Sequence, residues 1–236
     1  MLRVARIVVP GAAHPITQRG SNHHDVFFVA EDRRAYLESL RELGVRFGFR
    51  VEGYCLMSNH IYVAGVPARE ESLAKAIGRT HFLYSLYVNR MHGRSGHLWQ
   101  DRFYSCPMDA TRLHNALCYV ELNPVRAGMV KGPSKYEWSS APAHCGKADA
   151  NPLLDLPARR ESMPPGEWVA LLKKAARDKA AFAALRQSTH TGRPLGSDSS
   201  VSKVECLLGR RVRALPMGRQ TGWRKTKTSV ERANGC

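Results

Sequence analysis

No apolar run in the chain approaches the ~18 residues of a membrane-spanning helix, so no membrane partner is expected. Arg3 and Arg6 break up the apolar N-terminus, which argues against a secretory signal. None of the six cysteines (Cys55, Cys106, Cys118, Cys145, Cys206, Cys236) stands at the spacing of a zinc or redox pair. They read as reduced thiols of a cytosolic protein. No internal repeat is visible. Acidic residues are scarce: 20 Asp and Glu face 36 Lys and Arg, a net charge of +16. That excess is the footprint of a polyanion binder, and nucleic acid suits it better than a membrane surface. What is present is enough apolar content, 43%, to build a core. A length of 236 residues suits one sizeable domain with an appendage, or two small ones.

Periodicity gives an α+β order. A first strand is expected over residues 12–19, a helix over 31–48, and a hairpin of two strands at 49–57 and 60–66. A second helix runs from Ser72 to about Met91. A fourth strand is expected from Arg102 to Met108. A third helix, with Asp109 as its N-cap, carries Leu113, Ala116, Leu117 and Val120. Residues 133–166, rich in proline, serine and glycine, read as a linker. A helix over 167–187, a turn, and a short helix to Leu208 make a helical region over 167–209, with a weak helix-turn-helix signal. From Gly209 the tail holds eight Lys and Arg, Arg210 and Arg211 among them, against Glu231 alone. Residues 210–236 are therefore expected to be disordered until they meet DNA.

Three stretches carry chemistry. In Cys55-Leu-Met-Ser-Asn-His-Ile-Tyr-Val-Ala-Gly-Val66, alternation places His60 and Tyr62 on one face and Ile61 and Val63 on the other. His60 reads either as a metal ligand on a rigid strand or as a core histidine satisfied by its neighbours. In the stretch from Gly93 to Met108, Arg94, His97, Trp99 and Arg102 mix cations with aromatic surface. Such a mixture suits single-stranded nucleic acid, although Trp99 also fits a core. In Tyr119-Val-Glu-Leu-Asn-Pro-Val-Arg126, Tyr119 and Asn123 are four apart, the spacing of one helix face. Asn123 before Pro124 also fits a helix cap. His23 and His24, in a polar loop, read as solvated.

The segments Met57–Val63, Gly96–Phe103 and Tyr119–Val130 resemble the single-tyrosine HUH transposases, and most closely the REP-associated tyrosine transposases. The resemblance implies a ferredoxin-like antiparallel sheet with flanking helices, in a catalytic domain over residues 1–132. It implies that Tyr119 is a nucleophile attacking a DNA phosphodiester to leave a 5′-phosphotyrosine. It also implies a divalent cation, Mg²⁺ or Mn²⁺, held by His60 and Asn123, and a single-stranded or hairpin DNA substrate contacted by residues such as Arg126. The family carries histidine where this chain has Tyr62. A phenol must lose a proton to ligate well, so either the cation is held by fewer ligands or cleavage is lost and DNA binding kept. Such a protein, monomer or homodimer, is expected in the cytoplasm at the nucleoid.

Overall fold

The strand alternation divides the core between two faces of one sheet. The computed structural model describes residues 6–148 and 150–213. It places β1 at His14–Arg19, α1 at Ala30–Phe47, β2 at Phe49–Leu56, β3 at His60–Pro67, α2 at Ser72–Met91 and β4 at Tyr104–Ser105. The sheet order is β2-β3-β1-β4 with every pairing antiparallel, which is the ferredoxin-like arrangement. Ile61 and Val63 are buried with Tyr36 and Leu40 of α1 and Ile77 and Tyr84 of α2. α1 ends at Gly48, whose φ of +66° is the left-handed cap that glycine reaches without steric cost.

The opposite face is covered by α3 (Leu113–Glu121), α4 (Asn123–Arg126), α5 (Ala141–His144), α6 (Leu156–Ser162), α7 (Pro165–Ala175) and α8 (Lys179–Thr191). α9 (Asp198–Leu208) follows and buries none of its residues. α3 lies close on β2 because Gly53 has no side chain. A Cβ there would meet Leu117 Cδ2 at 2.6 Å. Glu121 ends α3 fully buried, accepting hydrogen bonds from Ser140 Oγ (2.6 Å), His144 Nδ1 (2.5 Å) and Trp168 Nε1 (2.8 Å). One carboxylate thus ties α3 to α5 and α7. Among the described residues no helix is long and apolar enough to cross a membrane.

Several expectations need correction. The fourth strand is two residues long, because Asp101 turns the chain with a φ of +54° and Pro107 has no N–H to donate. α3 starts at Leu113 after a turn of 3₁₀ helix over Ala110–Arg112, so Asp109 does not cap it. Its carboxylate instead accepts from Thr111 Oγ1 and Ser197 N. The stretch read as a linker is laid along β2. Leu56 N donates to Trp138 O (2.8 Å) and Ser140 N to Tyr54 O (2.9 Å). The long helix expected over 167–187 breaks into α7 and α8, where the Asp178 side chain caps α8 through Ala181 N. Most of the basic tail, residues 214–236, lies outside the described residues.

Burial of neutral histidines predicts acid sensitivity. His14 Nε2 accepts from Val9 N while Nδ1 donates to Ala12 O, which is the neutral ring. Burial brings its pKa down to about 4, and that of His81, packed against Tyr36, down to about 3. Unfolding exposes both rings, so the unfolded chain takes up protons first as pH falls. Stability is then lost below an ordinary pKa of ~6.5, at about 1.4 kcal/mol per pH unit for each ring. Denaturation midpoints at pH 7.5 and pH 5 should therefore differ, the lower pH being the less stable. Equal midpoints would show these rings to be charged in the native state.

Candidate active site

β3 opens on His60, and the hairpin tip before it sets the ring. Asn59 Nδ2 donates to His23 O (3.2 Å), which turns the Asn59 amide oxygen toward His60 Nδ1 at 2.5 Å. His60 is thereby held as the Nδ1–H tautomer, and Nε2 makes no hydrogen bond among the described residues. Burial, with Arg19 adding to it, brings the His60 pKa down to about 4, so the ring is neutral at neutral pH. His23, exposed as expected, lends its carbonyl oxygen to this corner.

From His60 a row of rings runs to the expected nucleophile. His60 meets Tyr62 edge to face with centroids 4.9 Å apart, and Tyr62 meets Tyr119 the same way at 5.6 Å. Tyr119 is only 6% exposed, between Tyr62, Phe182 of α8 (5.5 Å) and the Arg126 guanidinium, 4.3 Å from its centroid. Burial first, then the neighbouring Tyr119 phenol, pushes the Tyr62 pKa up. His60, Tyr62 and Tyr119 line one cleft of about 680 Å³ together with Arg19, Arg186 and His190. The Tyr119 phenol raises the pKa of the Arg186 guanidinium, first by hydrogen bonding.

Asn123 does not join them. It is buried outside the cleft lining. Its Nδ2 donates back to Tyr119 O (3.2 Å) and Val120 O (3.3 Å), and its Oδ1 accepts from Arg126 Nη2 (2.6 Å). α3 has already ended at Glu121, so the single helix face expected to carry Tyr119 and Asn123 is interrupted. Asn123 closes α3 by satisfying its last carbonyls, neither N-capping α4 nor facing the cleft. Trp99 also departs from expectation. It stacks on His81 at 4.6 Å and donates Nε1 to His81 O, so it serves the core. Arg94, His97 and Arg102 are exposed, the first with its guanidinium 5.0 Å from the Phe28 centroid. Arg210 and Arg211 are exposed beyond α9.

The residues present do not fit the divalent cation implied by the resemblance. Of the three residues named for the cation, only His60 offers a ready donor, Nε2. Tyr62, its pKa raised, stays protonated and ligates weakly, and Asn123 is turned away with its oxygen on a guanidinium. The charged groups lining the cleft are arginines, a setting that repels a dication. Among the described residues no three His, Cys, Asp or Glu come together as ligands.

Reading the sequence missed Arg19, Arg186 and Phe182. A signal for the last two was there: an arginine four residues after a phenylalanine shares its helix face, where a further apolar residue is the rule.

Over its sheet and the helix that carries Tyr119, this chain is similar to transposases of the IS200 type. Residues 16–123, from β1 to the end of α3 and Asn123, match the sequence profile of the family described as Transposase IS200 like. A solved structure described as a REP-associated tyrosine transposase bound to a REP hairpin is similar with a TM-score of 0.50 and 13% identity. The similarity covers 65% of this chain and 91% of that one, and establishes a shared fold. No curated protein matches the chain in sequence.

Proposed function

We propose that this protein cleaves and rejoins single-stranded DNA through Tyr119. The observation that carries the reading is the placement of a phenol in one cleft with a neutral imidazole and guanidinium groups. The Tyr119 oxygen forms a bond to phosphorus while the P–O3′ bond breaks. The phenolic proton passes to His60 Nε2, and the departing 3′ oxygen takes a proton to leave as a hydroxyl. The product is a 5′-phosphotyrosine, whose energy a second 3′-hydroxyl can use to rejoin strands. No step here runs through a metal. Hairpin-forming single strands are the proposed substrate, since the similar structure holds a hairpin. Exposed Arg94, His97 and Arg102 are proposed to contact the strand backbone, with Arg210 and Arg211 extending the basic surface. Work on DNA of this kind places the protein at the nucleoid.

The second reading is a DNA-binding protein that has lost cleavage, and Tyr62 in the place of a family histidine favours it. Incubation with an end-labelled hairpin strand separates the two. An adduct that survives denaturation supports the enzyme. Salt-sensitive binding without adduct supports the binder.

Tyr62→His tests the account of the donors. It would place a second imidazole two residues from His60 on the same strand face. We expect measurable Mn²⁺ binding by calorimetry in the variant and none in the unaltered protein. Tight Mn²⁺ binding by the unaltered protein would show that the cleft holds donors other than those described.

A further inference from the structure

We propose that Arg186, on α8, grips the phosphate that Tyr119 attacks and supplies there the positive charge that no metal ion brings. The inference rests on the reading of Tyr119 as nucleophile. Arg19 and Arg186 line this cleft and Arg126 lies against the Tyr119 ring, and two of these three guanidinium groups are already engaged. Arg126 Nη2 donates to Tyr119 O (3.0 Å) and Asn123 Oδ1 (2.6 Å), with its plane against the Tyr119 ring. Arg19 Nε donates to Gln100 Oε1 (2.7 Å). Among the described residues neither an amide nor a carboxylate holds Arg186. The groups that raise its pKa are the Tyr119 and Tyr62 phenols. It is exposed and lines the same cleft as Tyr119.

The surrounding packing holds it there. One turn before Arg186, Phe182 is buried against Tyr119 (5.5 Å) and under Arg126 (4.9 Å). One turn after it, His190 lies on Tyr104 of β4 (4.5 Å), and Thr189 is buried beside Cys106. α8 is therefore anchored on both sides of Arg186, to α3 and to the sheet edge. A guanidinium carried on a helix anchored this way has two parallel N–H groups to offer, the geometry that matches two phosphate oxygens. Negative charge develops on those oxygens and on the departing 3′ oxygen as the bonds change. A preplaced cation stabilises that charge without having to reorganise. The C-terminal helices then belong to the reacting centre, although residues 167–209 read from sequence as a separate binding region.

The test uses full-length protein and a single-stranded hairpin substrate in excess EDTA. Strand affinity is measured across a salt series for the unaltered chain, Arg186→Gln, Arg186→Lys and Tyr119→Phe. Loss of one phosphate contact lowers the slope of log K against log[salt] by about 0.7. We expect that loss in Arg186→Gln alone. Covalent adduct in EDTA should fall about 100-fold in Arg186→Gln. Arg186→Lys, which keeps charge but not the fork, should recover it only in part. An unchanged slope in Arg186→Gln overturns the proposal, as does adduct that forms only when Mn²⁺ is added. A lowered slope with no adduct under any condition supports the phosphate contact and overturns only the reading of Tyr119 as a nucleophile. Thermal melting of each variant checks that Arg186→Gln remains folded.

Discussion

Tyr119→Phe is expected to abolish every covalent DNA adduct while leaving strand affinity within about twofold of the unaltered protein. The change removes one oxygen and nothing else. The ring keeps its contacts with Tyr62 and Phe182 and its place beneath Arg126. The hydroxyl lost is the one that faces Tyr62 and Arg186. Stability should change by about 1 kcal/mol or less, the net worth of an ordinary hydrogen bond. The contrast is what gives the experiment force. A transferred strand needs the oxygen as its point of attachment, whereas binding depends on the arginines and on shape. Adduct persisting in Tyr119→Phe would move the nucleophile to another tyrosine, Tyr62 first, since it lines the same cleft.

The largest effect on stability is expected from Glu121→Ala. The carboxylate is fully buried and accepts from three donors on two other segments, Ser140, His144 and Trp168. Truncation leaves those donors facing a cavity from which water is excluded. Breaking a buried charged network in this way costs about 3–5 kcal/mol. Chemical denaturation should show that loss in the midpoint. Because Trp168 belongs to α7, the same change loosens the connection that precedes α8, and adduct formation should fall with it. Glu121→Gln keeps the volume but turns an amide N–H₂ into a site already full of donors, so an intermediate loss is expected. A stability change under about 1 kcal/mol for Glu121→Ala would mean that this network holds nothing together.

The βαββαβ frame was legible because its signals are local. Helical spacing in α1 and α2, the alternation through Ile61 and Val63, and glycine at position 48 each speak for a short window of chain, and those windows agree with the sheet. The row from His60 to Tyr62 was legible for the same reason, since two residues apart on a strand is one face. Tyr119 was reached by its resemblance to a family motif, among tyrosines that local pattern left equivalent. The short fourth strand was missed because Asp101 adopts a left-handed backbone that nothing nearby announces. Asn123 was misplaced because its four-residue distance from Tyr119 presumes an unbroken helix, and α3 stops two residues earlier.

What the sequence determined by itself was the order of strands and helices, the basic charge and the face on which His60 and Tyr62 stand. These follow from periodicity and composition, which act over a few residues or over the whole chain at once. Only the tertiary structure decided what stands opposite that face. It brought Phe182 against the Tyr119 ring and Arg186 into the same cleft from some sixty residues further along, buried Glu121 among three donors, and turned Asn123 inward. The meeting of distant side chains depends on how helices pack across a sheet. No short window of sequence encodes that, because the energy of such a contact exists only once both partners are in place.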